Sequence, residues 1–397
     1  MIFNIVIVFL NLYTASARTG DVSILRPDLK WTQSIEYYID KDWIPFSQFL
    51  KKAIKNIEDK TCIQFKESKY EIRGRQGINF LNKARTEAFN IGPLGIQLTN
   101  LVGINYHEDF AKTGFIQSVI HITLGAVPES TRCDRDKYIT IQYQNIKDNY
   151  KKDFDLKNYT CHLVNNISYD YGSVTHHYQY DFSTDSGHKK VLYSNEFSSY
   201  FQHTMGQIDH ATFNDYKTLN ALLCSDKCRD KKNKCHHGGY LNPKNCDQCL
   251  CPYGLQGDTC EDAVSIYQYI NIFVSGYYSP EHLTAQSWSQ YFNEYRDRNR
   301  YIYVHAPNYN QKIWLRIKYV RNCDFYTTCL PGRGHEIRYR ADKGVMGVCL
   351  CGWYDNHFNV VSENNLIIIY FHGRCYRHGL GFDYQLLGDR TDIKNDL

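Results

Sequence analysis

Sixteen histidines and fifteen cysteines are the side chains of this 397-residue chain best suited to chemistry. Imidazole and thiolate are zinc ligands, and a tight zinc site needs three or four protein ligands converging on one ion. The histidines offer no such set at a diagnostic spacing. His121 stands alone in the apolar run FIQSVIHITLGAV (115–127), and no spacing links it to His107. His176 and His177 are adjacent, so their side chains diverge. These residues are expected to be hydrogen-bonded or surface histidines. Cys133 could join His121 at a metal, but a bridge from Cys133 to Cys161 is the stronger expectation in an oxidising compartment.

The cysteine distribution points to such a compartment. Four are dispersed at 62, 133, 161 and 224, six crowd into 228–260, and five fall in 323–375. The odd total leaves a thiol free or available for an intermolecular disulfide. Asn158-Tyr-Thr160 and Asn166-Ile-Ser168 are glycan acceptor sequences in a secreted protein. The opening MIFNIVIVFLNLYTASARTG is too short in its apolar run to span a membrane, and Ala15-Ser16-Ala17 has the small-x-small pattern of signal cleavage. Residues 1–17 thus read as a signal peptide followed by a short segment, 18–30, and the chain as secreted. No later run gives the mature chain a membrane span. A net charge of +4 from 46 basic and 42 acidic residues, without a basic block, excludes a nucleic-acid surface.

The length calls for two or three domains. Residues 31–224 mix helix and strand patterns and read as α+β. Phe46, Phe49, Leu50, Ala53, Ile54 and Ile57 recur at helical spacing. Cys62–Phe65 and YITIQY (138–143) alternate like strands, and 115–127 is apolar nearly all round, as a buried helix is. Residues 225–261 are too short to bury a stabilising core and must be held by disulfides. Residues 262–397 read as successive strands, including KIWLRIKYV (312–320) and NNLIIIYFHG (364–373), and predict an all-β sandwich.

The order C-x6-C-x10-C-x2-C-x-C-x8-C, with Pro252-Tyr253-Gly254 and Gly257, resembles an EGF-like module. That resemblance implies Cys228–Cys246, Cys235–Cys249 and Cys251–Cys260. HEIRY (335–339), Cys351-Gly352 and Gly381-Phe382-Asp383-Tyr384 resemble steps of a CUB domain. His335 stands where calcium-binding members carry an acid, which speaks against calcium. Trp31 with Ile35–Ile39, Ile57–Phe65, Thr131–Tyr138, Tyr169–Ser173 and Met205–Gln207 with Cys224 resemble, in order, the astacin family of secreted zinc metalloendopeptidases. The implied architecture is multidomain: an α+β astacin-like (metzincin) protease domain, a small EGF-like module and an all-β CUB-like sandwich. Cys62–Cys224 would be the family's best-placed disulfide.

The family motif is H-E-x-x-H-x-x-G-x-x-H-E-x-x-R, in which three histidines hold zinc and the first Glu takes a proton from zinc-bound water. Anchored on Thr131-Arg132, the motif's Gly falls on Gly125 and its second Glu on Glu129. The three ligand positions then hold Ser118, Ile122 and Pro128, and the general-base position holds Val119. A register starting at His121 meets Gly125 and Thr131 instead of histidines. In the Met-turn, Thr175 replaces Met and His177 replaces Tyr. Glu129, which would receive a trimmed N-terminus by family resemblance, could equally be a surface acid. The resulting expectation is a homologue without zinc cofactor or catalysis that binds an extracellular protein or peptide. The alternatives are a zinc metalloendopeptidase, with unconventional ligands or a misread segment around 105–130, and a matrix or cuticle scaffold acting through the EGF-like and CUB-like parts.

Overall fold

Alternation of apolar residues sets the first strand, β1 (Ser34–Ile39), whose Ile35, Tyr37 and Ile39 are buried. The structure is a computed structural model that describes residues 30–32, 34–42, 47–83, 87–105, 113–158, 161, 167–185, 188–264, 279–322, 328–330 and 332–388. The expected signal peptide, His107, Asn166 and Cys323 lie outside the described residues. By contacts the chain forms two compact units. One comprises residues up to Tyr193 with Met205–Lys232 and Asn242–Cys246; the other comprises Ser194–Thr204, Asn233–Leu241 and Asp247 onwards. The cysteine-rich stretch 225–261 contributes to both, and Ser194–Thr204 belongs with the C-terminal unit.

In the first unit the expected helix forms as α1 (Ser47–Lys60), burying Leu50, Ala53, Ile54 and Ile57 on one face. Beyond it the Thr61 hydroxyl donates to the Ile57 carbonyl at 2.7 Å. Strands β2 (Gln64–Ser68), β3 (Gly77–Asn82), β4 (Glu87–Ala88) and β5 (Thr99–Ile104) complete a sheet of order β2-β1-β3-β5-β4. All neighbours are parallel except β4, which runs antiparallel to β5. Parallel strands need cover on their faces. Here α1 packs against α2 (Thr113–Leu124), and α2 meets β4 and β5. Every α2 residue from Gly114 to Leu124 is buried, so the all-round apolar run does mark an internal helix. Strand character in YITIQY is confined to Ile139–Ile141, because the chain turns at Tyr143–Asn145 into a 3-10 helix.

The helix Phe213–Leu223 closes this unit. Thr212 caps it, accepting from the Asp215 N–H while the Asp215 carboxylate accepts from the Thr212 N–H. Cys224, at its C-cap, bonds Cys62 just past α1. Cys133–Cys161 and Cys228–Cys246 are also bonded in this unit.

The second unit has two five-stranded sheets. One orders Glu281–Thr284, Arg300–His305, Leu366–Phe371, His335–Arg338 and Val348–Leu350. The other orders Gln290–Tyr295, Gly379–Leu386, Ile313–Arg321 and Trp353–Tyr354, with Phe358–Val361 also on Ile313–Arg321. Leu366–Phe371 is buried throughout. Cys235–Cys249 and Cys251–Cys260 hold the cysteine-rich stretch of this unit. His335 is a core side chain: its Nδ1 accepts from the His372 N–H at 3.1 Å, and Nε2 lies 3.2 Å from the Arg321 carbonyl.

Because Cys62–Cys224 closes a separation of 162 residues, its loss should cost about 2–5 kcal/mol. Urea unfolding of a Cys62→Ala/Cys224→Ala variant measures this. A difference below about 1 kcal/mol would mean the tie does not constrain the unfolded chain.

Candidate functional site

The site is built around the exit of α2. Gly125 adopts φ +120°, and the N–H groups of Gly125 and Ala126 both close on the His121 carbonyl, at 3.1 and 2.9 Å. A left-handed residue after a helix favours glycine. The chain then reaches Pro128 and the 3-10 turn Glu129–Thr131. Ser118 and Ile122, one helical turn apart, face a cavity of about 30 Å³ together with Pro128, Thr175 and His177. That space holds a water or two. Val119 is fully buried in the core shared by α1, α2 and the sheet.

The far wall is a hydrogen-bonded segment. Asp215 accepts from the Ser173 hydroxyl at 2.5 Å and from the Val174 N–H at 3.1 Å, so the closing helix pins this turn. The Thr175 hydroxyl lies 2.9 Å from Ser173 Oγ and donates to the Val127 carbonyl at 3.2 Å. His176 spans the Tyr169 hydroxyl (2.7 Å from Nε2) and the His177 carbonyl (2.8 Å from Nδ1). Nδ1 of His177 meets the Ser130 hydroxyl, and its ring packs on Phe154 at 4.7 Å. Burial drives His176 down to about 4 and His177 to about 3, so both are neutral at pH 7.

Glu129 is buried, which removes the surface-acid alternative. Its Oε1 accepts from Arg132 Nη1 at 2.9 Å and from the Asp170 N–H at 2.8 Å. Arg132 also pairs with Asp134 at 3.0 Å and donates to the Ile167 carbonyl at 2.9 Å. Burial pushes Glu129 up to about 7 against the pull of Arg132, and Asp170, buried beside Asp215, also rises to about 7. Arg135 donates to the Ser130 and Phe154 carbonyls at 2.8 and 2.7 Å. The Thr131–Tyr138 run was legible only as a likeness; its work here is to tie three loops together.

His121 points elsewhere. Its ring meets Tyr216 on the closing helix at 5.7 Å, and neither ring nitrogen has a hydrogen-bond partner. Burial lowers it to about 3. Cys133 is bonded to Cys161, so the pair Cys133 with His121 is not a metal site. The donor set around the cavity does not make a tight zinc site: Ser118 and Thr175 offer neutral hydroxyls, Ile122 and Pro128 offer hydrocarbon, and both nitrogens of His176 and Nδ1 of His177 are engaged, which leaves His177 Nε2 and the Asp181 carboxyl, short of three ligands. Among the described residues, the metal-sized group of ligand atoms is Cys329, Cys349 and Cys351, in the other unit. Sequence reading missed that convergence. It also missed Asp181, a buried cavity-lining carboxyl held well above its usual range by burial. Asn158 is exposed.

The unfolded chain protonates His121 near pH 6.5, whereas the folded chain refuses that proton until about pH 3. Stability from this group is present above pH 6.5 and falls as pH drops through that window. Glu129 and Asp170, with raised values, act in the opposite sense up to about pH 7. A His121→Leu variant isolates the first effect. It should be more stable by about 1 kcal/mol or more at pH 7, because an unsatisfied buried polar group is removed. The gain should widen by pH 5, read from urea unfolding at both values. A gain that narrows towards pH 5 would contradict the burial of a neutral His121.

The profile of the peptidase family described as Astacin matches residues 23–224. The chain is 34% identical over 255 residues to zinc metalloproteinase nas-36 of Brugia malayi, covering 64% of this chain and 42% of that protein. Identity is 34% over 232 residues with nas-36 of Caenorhabditis elegans, covering 58% of this chain and 36% of the relative. Zinc metalloproteinase dpy-31 of Teladorsagia circumcincta is 26% identical over 393 residues, covering 94% of this chain and 60% of that one. The chain thus spans less than two thirds of the length of these relatives. Among solved structures, high choriolytic enzyme 1, a hatching-enzyme zinc protease of Oryzias latipes, aligns at 25% identity with a TM-score of 0.42, over 49% of this chain and 92% of that one. With a family profile spanning just over half of its residues, the chain belongs to the astacin family of peptidases.

Proposed function

We propose that this chain is a secreted astacin homologue without peptidase activity, which acts by binding an extracellular protein or peptide. One count carries the reading: in the register anchored on Thr131-Arg132 the ligand and base positions fall on Ser118, Val119, Ile122 and Pro128, and all but Pro128 are buried. Pro128 and Ile122 offer no donor atom, and Val119 has no group to take a proton from water. The relatives are named zinc metalloproteinases, which favours the enzyme as the second reading. That reading needs a different ligand set, and the engagement of both His176 nitrogens and of His177 Nδ1 speaks against one here.

In this proposal residues 1–17 are a signal peptide, Asn158 and Asn166 carry glycans, 225–261 is EGF-like and 262–397 CUB-like. Binding surface is available on the C-terminal unit. Tyr295 stacks on Tyr319 at 5.5 Å, and Arg321 lies over Tyr319 and Trp353 at 5.2 and 5.7 Å. Gly379 and Gly381 leave room for the two tyrosine rings, since a Cβ on either would fall within 2.4 Å of a ring atom. Tyr295 and Trp353 are about half exposed, and aromatic-Arg clusters are typical of protein interfaces.

Purified protein offered a mixed peptide library with added zinc should give no cleavage that a chelator removes. Chelator-sensitive cleavage that co-elutes with the chain and persists in a Cys351→Ser variant would overturn the proposal.

A further inference from the structure

The fifteen cysteines cannot all pair within one chain. Ten of them form five one-to-one disulfides, and Cys375 is also disulfide-bonded. The remaining described cysteines meet at one place in the C-terminal unit. The Cys329 sulfur lies within bonding reach of both Cys349 and Cys351, with Cα–Cα separations of 5.7 and 5.8 Å. Both separations lie where a disulfide closes without backbone movement. A sulfur forms one disulfide at a time, so these are alternative pairings, and either one leaves the third cysteine of the cluster outside it.

The backbone explains why two sulfurs compete for one. Cys349 lies in the strand Val348–Leu350 and Cys351 follows it, so residues two apart face the same side. Cys329 is held opposite them: its N–H donates to the His203 carbonyl at 2.9 Å, and its carbonyl accepts from the Thr204 hydroxyl at 3.4 Å. Gly334 leaves the room needed, since a Cβ there would lie 2.6 Å from the Cys351 sulfur and 2.7 Å from that of Cys329. Alanine at 334 would crowd out the cluster.

The two pairings are not equivalent to a reagent. Cys329 and Cys349 are almost fully buried, whereas Cys351 is partly exposed. All three line a cavity of about 350 Å³ with Tyr200, His203 and Tyr354. That volume is at the lower end of small-molecule sites.

We propose that Cys329, Cys349 and Cys351 form a thiol–disulfide exchange site that accepts a low-molecular-weight disulfide. With Cys329–Cys349 closed, the Cys351 thiol stands in the cavity. As the thiolate, having given its proton to water, it attacks one sulfur of the small disulfide. An S–S bond to Cys351 forms, the ligand's S–S bond breaks, and the departing thiolate takes up a proton. In the closed alternative, Cys351 attacks the Cys329 sulfur instead, and Cys349 leaves as a buried thiol. Each step exchanges one S–S bond for another: in the first the small disulfide is the oxidant and one of its sulfurs leaves as a thiol, whereas the second is redox-neutral within the chain. Pairing thus gates reactivity: Cys329–Cys349 exposes a thiol and Cys329–Cys351 hides it. This inference concerns the C-terminal unit and is independent of whether the chain has peptidase activity.

The test uses the full-length, non-reduced chain with oxidised glutathione as the probe. Acid-quenched peptide mapping of the untreated protein should find both Cys329–Cys349 and Cys329–Cys351. After incubation, mass spectrometry should show a single glutathionyl adduct per chain, located on Cys351. Cys351→Ser should abolish the adduct and leave Cys329–Cys349 as the one pairing. Mapping of the unmutated chain keeps the test valid if the variant fails to fold. An adduct on Cys323 or Cys375, a Cys351 bridge between two chains, or three thiolates holding a metal with neither disulfide formed would each overturn the proposal.

Discussion

The burial of α2 from Gly114 to Leu124 is the constraint on which the first unit rests. A helix that meets solvent nowhere must pair its polar groups internally or dispense with them. Gln117 is paired twice, donating to the Tyr216 hydroxyl at 2.7 Å and accepting from the Ala211 N–H at 3.0 Å. Thr123 returns its hydroxyl to the Val119 carbonyl at 2.7 Å. Two more imidazoles and a carboxylate on this helix, with no ion to bind them, would leave further unpaired groups at a cost of several kcal/mol in all. In the proposed register, valine at 119 and isoleucine at 122 avoid that cost, and both are buried.

The shell around the helix is supported independently of any ion. Asp215 holds the Ser173–Thr175 turn from one side, and Arg132 with Glu129 holds the 3-10 turn from the other. His176 and His177 stay neutral by burial and act as hydrogen-bonding spacers between these supports. Removing one charged member of such a buried set costs more than the set contributes as a whole, because its partner is left uncompensated. The chain can therefore keep the protease-like frame while the residues at its centre change.

Periodicity carried the long elements and failed on the short ones. α1 was legible from its apolar face, and α2 from being apolar on every face. The six-residue strands Gly77–Asn82 and Thr99–Ile104 were not, because their buried parallel setting suppresses alternation. Counting from Gly125, Glu129 and Arg132 singled out Ser118, Val119, Ile122 and Pro128; three of them share a cavity, and Val119 lies in the core. What sequence could not supply was partnership across long separations: Asp215 with Ser173, Ser130 with His177, or Tyr216 with His121. The sharing of Cys329 between two partners is likewise invisible in spacing, since cysteine order alone leaves connectivity open.

The proposed function requires that the first unit hold no zinc at the cavity beside Ser118 and Ile122. Zinc stoichiometry of non-reduced protein, rinsed with EDTA and reloaded with zinc, tests it most directly. The account predicts that the first unit retains none, so that any zinc found disappears in the Cys351→Ser variant. One tightly held zinc per chain that persists in that variant would contradict it, and would place the ion among ligands that the apolar floor of Val119 and Ile122 does not provide.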